Sequence, residues 1–407
     1  MNHTPSSHRV HIAFYGRCNS GKSSLINALT GQEVAIVSAV AGTTTDPVSK
    51  PIELPNIGAT ILIDTPGIDD NTTLGEQRKA QTLKTLNKTD IAVVLFNDTD
   101  TSIEQTLIAQ LKAREIPVIG VISKCDTIQN RASFTAKVND IVGPDSITLS
   151  ATTKEGIDQL LARLASLSQQ EQRLITEGLC NSGDMVVLVM PQDAQAPKGR
   201  LIKPQVEVIR ELLDRGCNTL CTTPEGLQSA LNALNTPPQL IITDSQVFAP
   251  VHKIVEEYRN EVASSTPQSQ QNAPLLTSFS ILFARYKGDI DTFVEGGKKL
   301  LSLTSSSRVL IAEACSHIPQ NEDIGRVKLP RMLRNRIGND LQIDIVGGND
   351  FPVDLSQYDL VIHCGACMFN SRLVMSRIAQ AQSQDVPITN YGIALATLTG
   401  IINKVAY

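Results

Sequence analysis

Tryptophan is absent from this chain of 407 residues, and all aromatics together make up only 4% of it. No stretch interleaves aromatics with clustered lysine and arginine, and the formal net charge is −5. No nucleic-acid partner is therefore expected. No segment offers ~18 uninterrupted apolar residues, so no membrane-spanning helix is expected either. The first residues, MNHTPSSHRV, lack the basic start and apolar run of a signal peptide, which points to the cytoplasm. In that compartment disulfides are disfavoured, and the eight cysteines read as metal ligands or catalytic groups. No repeat of fixed period recurs along the chain.

What is present is an ordinary globular composition, 41% hydrophobic and 19% charged, on a chain long enough for two or three cores. From Val10 to about Ser168 the apolar runs VHIAFYG, ATILIDT, DIAVVLF and PVIGVIS alternate with helical stretches. Continuous apolar runs between helices indicate a parallel sheet buried on both faces. A second block has a strand at Met185–Met190, a turn at Ala196–Gly199, a helix beginning near Pro204 and a strand at Gln239–Thr243. With one or two helices and few strands, it would gain stability by burying a face against a copy of itself. The polar tract Ser264–Pro274 reads as a linker or surface loop. Beyond it, strands are expected at Arg308–Ala312, Gln342–Val346, Tyr358–Ile362 and Val386–Thr389, with helices at Leu329–Ile337 and Ser371–Gln382. The fold class is α/β in three domains: 1–168, 169–263 and 264–407, the last with a mainly parallel sheet.

Gly16-Arg17-Cys18-Asn19-Ser20-Gly21-Lys22-Ser23, followed by Ser24, fits G-x-x-x-x-G-K-[ST] between a strand and a helix, the context that makes this pattern specific. Its backbone N–H groups can wrap phosphates at a helix N-terminus. Lys22 brings a point charge to the outer phosphates, and the Ser23 hydroxyl completes a magnesium shell. Gly42-Thr43-Thr44 supplies switch hydroxyls. Asp64-Thr65-Pro66-Gly67 ends a strand with a carboxylate for the magnesium water and a glycine for the γ-phosphate. Ser123-Lys124-Cys125-Asp126 follows another strand, where Asp126 can accept the guanine N–H donors, and Ser150-Ala151-Thr152 offers a backbone donor to the guanine carbonyl. GTP and GDP with Mg2+ are the expected ligands, and Lys22, Thr44 and Asp64 the residues carrying hydrolysis.

These motifs resemble the translation-factor-related GTPases of the Era and tRNA-modification type over roughly the first 165 residues. Ser123 departs from the family's usual asparagine. Asn19 with the Gly-Thr-Thr switch resembles the potassium-activated members, in which an asparagine oxygen holds K+ beside the phosphates; a plain loop residue is the competing reading. Ile68 stands where Ras-like proteins carry a water-orienting glutamine, so hydrolysis should be slow without K+ or a partner.

Toward the C-terminus, Cys315-Ser316-His317 and His363-Cys364-Gly365-Ala366-Cys367 collect three thiols and two imidazoles, a metal-ligand set. Each group follows an expected strand, and loops at the carboxyl ends of parallel strands share one edge. Spacing leaves both zinc in a Cys3His shell and an iron–sulfur cluster open. His317 and His363 read either as ligands or as donors of a hydrogen bond behind them. Cys18 and Cys125 sit inside the nucleotide motifs, and Cys180, Cys217 and Cys221 read as structural.

A GTPase motif set, a middle block and the spacing C-x-H-x(45)-H-C-x-x-C resemble the HydF family of [FeFe]-hydrogenase maturation GTPases over essentially the whole chain. Ala196-Pro197-Lys198-Gly199-Arg200-Leu201-Ile202-Lys203-Pro204-Gln205 also looks like that family's dimerisation domain. The resemblance implies a homodimer and a [4Fe-4S] cluster held by Cys315, Cys364 and Cys367, with His317, His363 or another group at the fourth iron. It further implies a diiron precursor as cargo, radical-SAM maturases as partners, and delivery to apo-[FeFe]-hydrogenase. An RNA- or ribosome-associated GTPase with a structural zinc domain, and a redox-sensing regulatory GTPase, are the alternatives.

Overall fold

The computed structural model describes residues 9–31, 47–69, 81–82, 84–128, 130–168, 173–191, 201–265, 273–314, 324–348, 350–366 and 369–407. Two compact units divide the chain, residues 1–172 and 173–407. Among the described residues no helix is long and apolar enough to cross a membrane.

In the first unit the apolar runs become β1 (Val10–Gly16), β3 (Gly58–Asp64), β4 (Ile91–Phe96) and β5 (Val118–Ile122), joined by β2 (Val48–Leu54) and the short β6 (Ile147–Thr148). The order is β2-β3-β1-β4-β5-β6, and only β2 runs antiparallel. Alternation along β1 serves both faces. Ile12 and Phe14 meet α1 (Lys22–Thr30) and α4 (Ile157–Ser168), whereas Ala13 and Tyr15 meet α2 (Ser102–Lys112) and α3 (Arg131–Val142). Continuous apolar strands follow from that two-sided burial. β2 carries a polar, exposed pattern at the sheet edge, so no apolar run betrays it in the sequence.

The second unit holds two four-stranded parallel sheets. One is β10-β9-β7-β8, from β7 (Met185–Val189), β8 (Asn218–Thr222), β9 (Leu240–Thr243) and β10 (Leu275–Ser278). The other is β12-β11-β13-β14, from β11 (Arg308–Ala312), β12 (Gln342–Val346), β13 (Leu360–His363) and β14 (Ile388–Asn390). Read from its first strand, each sheet has the order 2-1-3-4, a likeness without a sequence repeat. Val187, Ile241 and Leu276 of one sheet and Leu310 and Val361 of the other belong to a single apolar core.

The middle block is richer than its sequence implies. Besides α5 (Lys203–Asp214) it has α6 (Leu227–Asn232) and α7 (Phe248–Ser265), and four strands rather than few. β8 is half-exposed at an edge, so its alternation is weak. β10, beyond the polar tract, pairs with β9, and α8 (Phe279–Lys287) leads on from it. Sheet membership thus carries this block past the expected boundary at 264. The turn at 196–199 lies outside the described residues.

Around the last sheet lie α9 (Ile290–Lys299), α10 (Leu329–Ile337), α11 (Ser371–Gln382) and α12 (Tyr391–Leu398). α10 and α11 fall where the periodicity puts them. α12 is apolar nearly all round and has no stripe to read. α9 contains Gly296, where an added Cβ would lie 2.0 Å from the Ile388 carbonyl oxygen, so glycine allows the helix to rest against the β14 backbone.

Candidate nucleotide site and candidate metal centre

β1 lies between β3 and β4, and the loop after it opens at the point where connections leave in opposite directions, a position that favours ligand binding. Asn19 at φ 58° and Gly21 at φ 96° adopt left-handed conformations that turn this loop into α1. Among the described residues no side chain caps the N-terminus of α1, which leaves its first N–H groups for an anion. A Cβ on Gly67 would meet the Cys18 backbone nitrogen at 2.8 Å, so the Asp64–Gly67 turn closes on the loop only with glycine there.

The buried Lys22 ammonium donates to the Gly16 and Arg17 carbonyls at 3.0 and 2.8 Å, and burial pulls its pKa below the usual value. Ser23 Oγ donates to Asp64 Oδ2 at 2.6 Å. The other oxygen, Asp64 Oδ1, is buried with no hydrogen-bond partner among the described residues. Burial pushes the Asp64 carboxyl up, and the Ser23 bond opposes it. A carboxylate oxygen left without a donor beside the Ser23 hydroxyl fits magnesium or its bound water. Ser20 is fully buried and Ser24 half-buried, whereas Asn19 is exposed on the loop. Thr43 and Thr44 lie outside the described residues.

The base-recognition segments join the same edge. Ser123 Oγ donates to the Ser20 carbonyl at 2.7 Å, so serine in place of asparagine still ties this segment to the phosphate loop. Lys124 takes φ 55°, and its stem is the nearest neighbour of a Cβ built on Gly21, at 3.9 Å. Asp126 is exposed in the turn Cys125–Thr127. Cys125 N–H donates to the Leu149 carbonyl at 3.2 Å, which brings the Ser150 and Ala151 turn alongside. Sequence reading missed the braces. Arg17 Nε donates to buried Glu104 at 2.9 Å, and Cys18 N–H donates to Asp69 Oδ1 at 2.7 Å.

The third sheet repeats the arrangement. β11 has β12 on one side and β13 on the other, with Ala312 opposite His363. Cys364 N–H donates to the Ala312 carbonyl at 3.0 Å, and Cys364 Sγ accepts from Ala314 N–H at 3.0 Å and Ala366 N–H at 3.4 Å. Those two bonds favour the thiolate, although burial, the larger effect, pushes the thiol up. The residue before Cys315 therefore touches the sulfur of Cys364. Cys315, His317 and Cys367 lie outside the described residues, and among the described residues no group of three metal-ligating side chains forms.

His363 is buried, and both its ring nitrogens have protein partners. Nδ1 lies 2.6 Å from the Cys364 carbonyl and Nε2 lies 2.9 Å from Arg377 Nη1. Arginine only donates, so Nε2 accepts and Nδ1–H donates to the carbonyl. Burial and the Arg377 charge pull His363 down to about 3, so the ring is neutral. Both ring nitrogens of His363 are thus engaged by protein groups. Arg377 was missed, yet it carries a signal: it falls on the apolar stripe Leu373, Val374, Ile378, Ala381 of α11. Two of the remaining thiols, Cys180 and Cys217, share one apolar cluster of the middle block. Buried Cys217 donates to the Asn181 carbonyl at 3.3 Å, Cys180 Sγ is 3.9 Å away, and burial pushes Cys217 up to about 11.

Three family models match successive parts of the chain. Residues 11–124 match the 50S ribosome-binding GTPase, 175–288 the hydrogen maturase F dimerization domain, and 291–406 the hydrogen maturase F tetramerization domain. The tRNA modification GTPase MnmE of Psychrobacter sp. is 33% identical over 169 residues, 38% of this chain and 36% of that protein. GTPase Der of Lawsonia intracellularis is 29% identical over 206 residues, 48% of this chain and 45% of that protein. The chain thus spans less than half the length of either curated relative. Among solved structures, Era in complex with MgGDPNP and a segment of 16S ribosomal RNA aligns at 20% identity and TM-score 0.36, covering 53% of this chain and 91% of that one. NFeoB from S. thermophilus bound to mGMPPNP aligns at 23% identity and TM-score 0.32, covering 39% and 61%.

The exposed Asp126 carboxylate gives a direct test of base recognition. Asp126→Asn should weaken GTP binding at least tenfold, because a hydrogen bond to a charged group contributes about 1.5–3 kcal/mol, and should favour xanthine over guanine nucleotides. Unchanged guanine preference in a titration with fluorescent nucleotides would remove Asp126 from this role.

Proposed function

Because the chain belongs to the hydrogen maturase F family, with an Era/MnmE-type GTPase domain at its N-terminus, we propose that it is a GTP-hydrolysing scaffold for a metal cluster in hydrogenase maturation. In this reading Cys315, Cys364 and Cys367 hold a [4Fe-4S] cluster, and a diiron precursor is cargo received from radical-SAM maturases and passed to apo-[FeFe]-hydrogenase. The observation that supports it most is the Ala314 N–H bond to Cys364 Sγ, which brings the residue before Cys315 against the Cys364 sulfur. When bound, the cluster supplies an iron with an exchangeable position for cargo. The chain's part is to anchor the other irons by thiolates, to seat Cys364 with backbone donors, and to keep His363 turned into hydrogen bonds of its own.

The GTPase domain fits a switch rather than a steady motor. Lys22 and the α1 amides meet the phosphates, Ser23 and Asp64 seat magnesium, and Asp126 reads guanine. Ile68 is half-buried against the core and its N–H donates to the Gly16 carbonyl, so no side chain there orients water. Asn19 projects from the phosphate loop, where it is accessible to an alkali ion.

Oligomerisation belongs to the same proposal, with a second copy of this chain as the partner. α5 buries Gln205, Val208 and Leu212 but exposes Val206 and Leu213, 49% and 57% accessible, with half-buried Ile209 between them. That stripe, in the segment matching the dimerization domain, is the face offered for a two-fold contact. Val206→Glu with Leu213→Glu should convert a dimer to a monomer in light scattering at micromolar concentration. A dimer that survives places the contact elsewhere, and a native protein that is already monomeric removes it.

Hydrolysis should be several-fold faster in K+ than in Na+ at equal ionic strength, since generic screening by the two ions is alike. Equal rates would leave Asn19 an ordinary loop residue.

Protein prepared without oxygen should contain iron and sulfide and give an EPR signal on reduction. Cys315→Ser, Cys364→Ser and Cys367→Ser should each lose most of the iron, whereas His317→Ala and His363→Ala should keep most of it. Zinc instead of iron would sink the cluster reading, and equal iron loss in both sets would make the histidines obligatory ligands.

A further inference from the structure

Two cationic side chains are buried against the loop that carries Cys364. Arg377 on α11 is 4% exposed and Lys287 at the end of α8 is 2% exposed. Lys287 Nζ donates to the Ala366 carbonyl at 2.9 Å and the Phe369 carbonyl at 3.0 Å, and lies 5.3 Å from the centre of the Phe283 ring. It thus spans the turn in which Ala366 holds φ 48°, a left-handed conformation that a non-glycine residue needs support to keep. Arg377 donates to His363 Nε2 and to the Gly348 carbonyl at 2.6 Å, and its guanidinium stacks 4.7 Å from the centre of the Phe351 ring.

All of these Arg377 partners are neutral. Among the described residues the Cys364 sulfur is the group whose ionised form would favour the Arg377 charge. A buried guanidinium is costly without a counter-charge, and the costs are met when an anion lies nearby. A thiol is not an anion, but a metal-bound thiolate is, and an iron–sulfur cluster with thiolate ligands adds negative charge on reduction.

We propose that Arg377 is a positioning residue that sets the electrostatics of the metal–thiolate group at Cys364, with Lys287 as the clamp of its loop. This rests on the reading of Cys364 as a ligand. Arg377 has two effects from one place. Its charge stabilises the more negative, reduced form of the cluster. Its bond to Nε2 also fixes the tautomer in which His363 donates to the Cys364 carbonyl, which keeps the imidazole off the metal. Lys287 adds a second positive charge and holds the turn at Ala366 and Phe369.

The test is a redox titration, monitored by EPR, of full-length protein reconstituted with iron and sulfide. Arg377→Gln should retain iron and shift the reduced-to-oxidised ratio at fixed potential at least tenfold toward the oxidised form, a midpoint about 59 mV lower for a one-electron couple. Arg377→Lys keeps the charge and should restore most of the shift. GTP hydrolysis serves as the folding control and should be unchanged in both. If Arg377→Gln loses iron while Arg377→Lys keeps it, the charge is needed for holding and the proposal stands. Equal midpoints in native protein and Arg377→Gln, or iron lost from both variants, overturn it. Absence of an iron–sulfur signal in the native protein defeats the cluster reading itself, a separate outcome.

Discussion

Parallel pairing with the first strand in the interior is the constraint on which both candidate sites depend. In each sheet the first strand is flanked by a neighbour on either side, so the connections that follow diverge and leave an opening at the carboxyl edge. At β1 that opening receives the phosphate loop. At β11 it receives the segment entering Cys315 and, from β13, Cys364. Neither site needs its residues to be close in sequence, because Ala312 and His363 are made neighbours by strand register.

Both openings are built from buried charge placed against neutral backbone. Lys22 rests on two loop carbonyls and, among the described residues, Asp64 has one oxygen without a donor, so the site holds a cation and an anion that a magnesium nucleotide would satisfy together. Arg377 rests on a carbonyl, a neutral imidazole and an aromatic face. Charges so placed are costly in isolation and become favourable when a ligand of opposite sign arrives. Surface pairs such as Arg210–Asp214 contribute little beside them.

The nucleotide motifs were legible because their spacing is tied to a phosphate and a base, and the parallel strands were legible because two-sided burial makes their runs continuously apolar. β2 and β8 escaped because an edge strand can be polar, and β10 because a polar tract separates it from the strand it joins. The thiols were visible as residue types, but the partner of His363 was not: Nε2 accepts from Arg377, fourteen positions along on another element. The braces Arg17–Glu104 and Cys18–Asp69 also join segments that only the fold brings together. Lys287 lies in the segment matching the dimerization domain, whereas the loop that it holds lies in the segment matching the tetramerization domain, so the contact joins the two matched segments.

That last contact links two parts of the proposed function. Val208 and Leu212 of α5 share one apolar cluster with Phe279, Leu282 and Phe283 of α8. α8 ends in Lys287, on the carbonyls of the Cys364 loop. The face of α5 offered to a second copy and the loop offered to the cluster are therefore opposite ends of one packed layer. Close-packed interiors transmit small displacements rather than absorb them, so a contact that moved α5 would act on the carbonyls that Lys287 holds. The same helix that completes the second sheet's core thereby fixes the shape of the Cys364 loop, which explains why a lysine is buried at its end instead of reaching solvent.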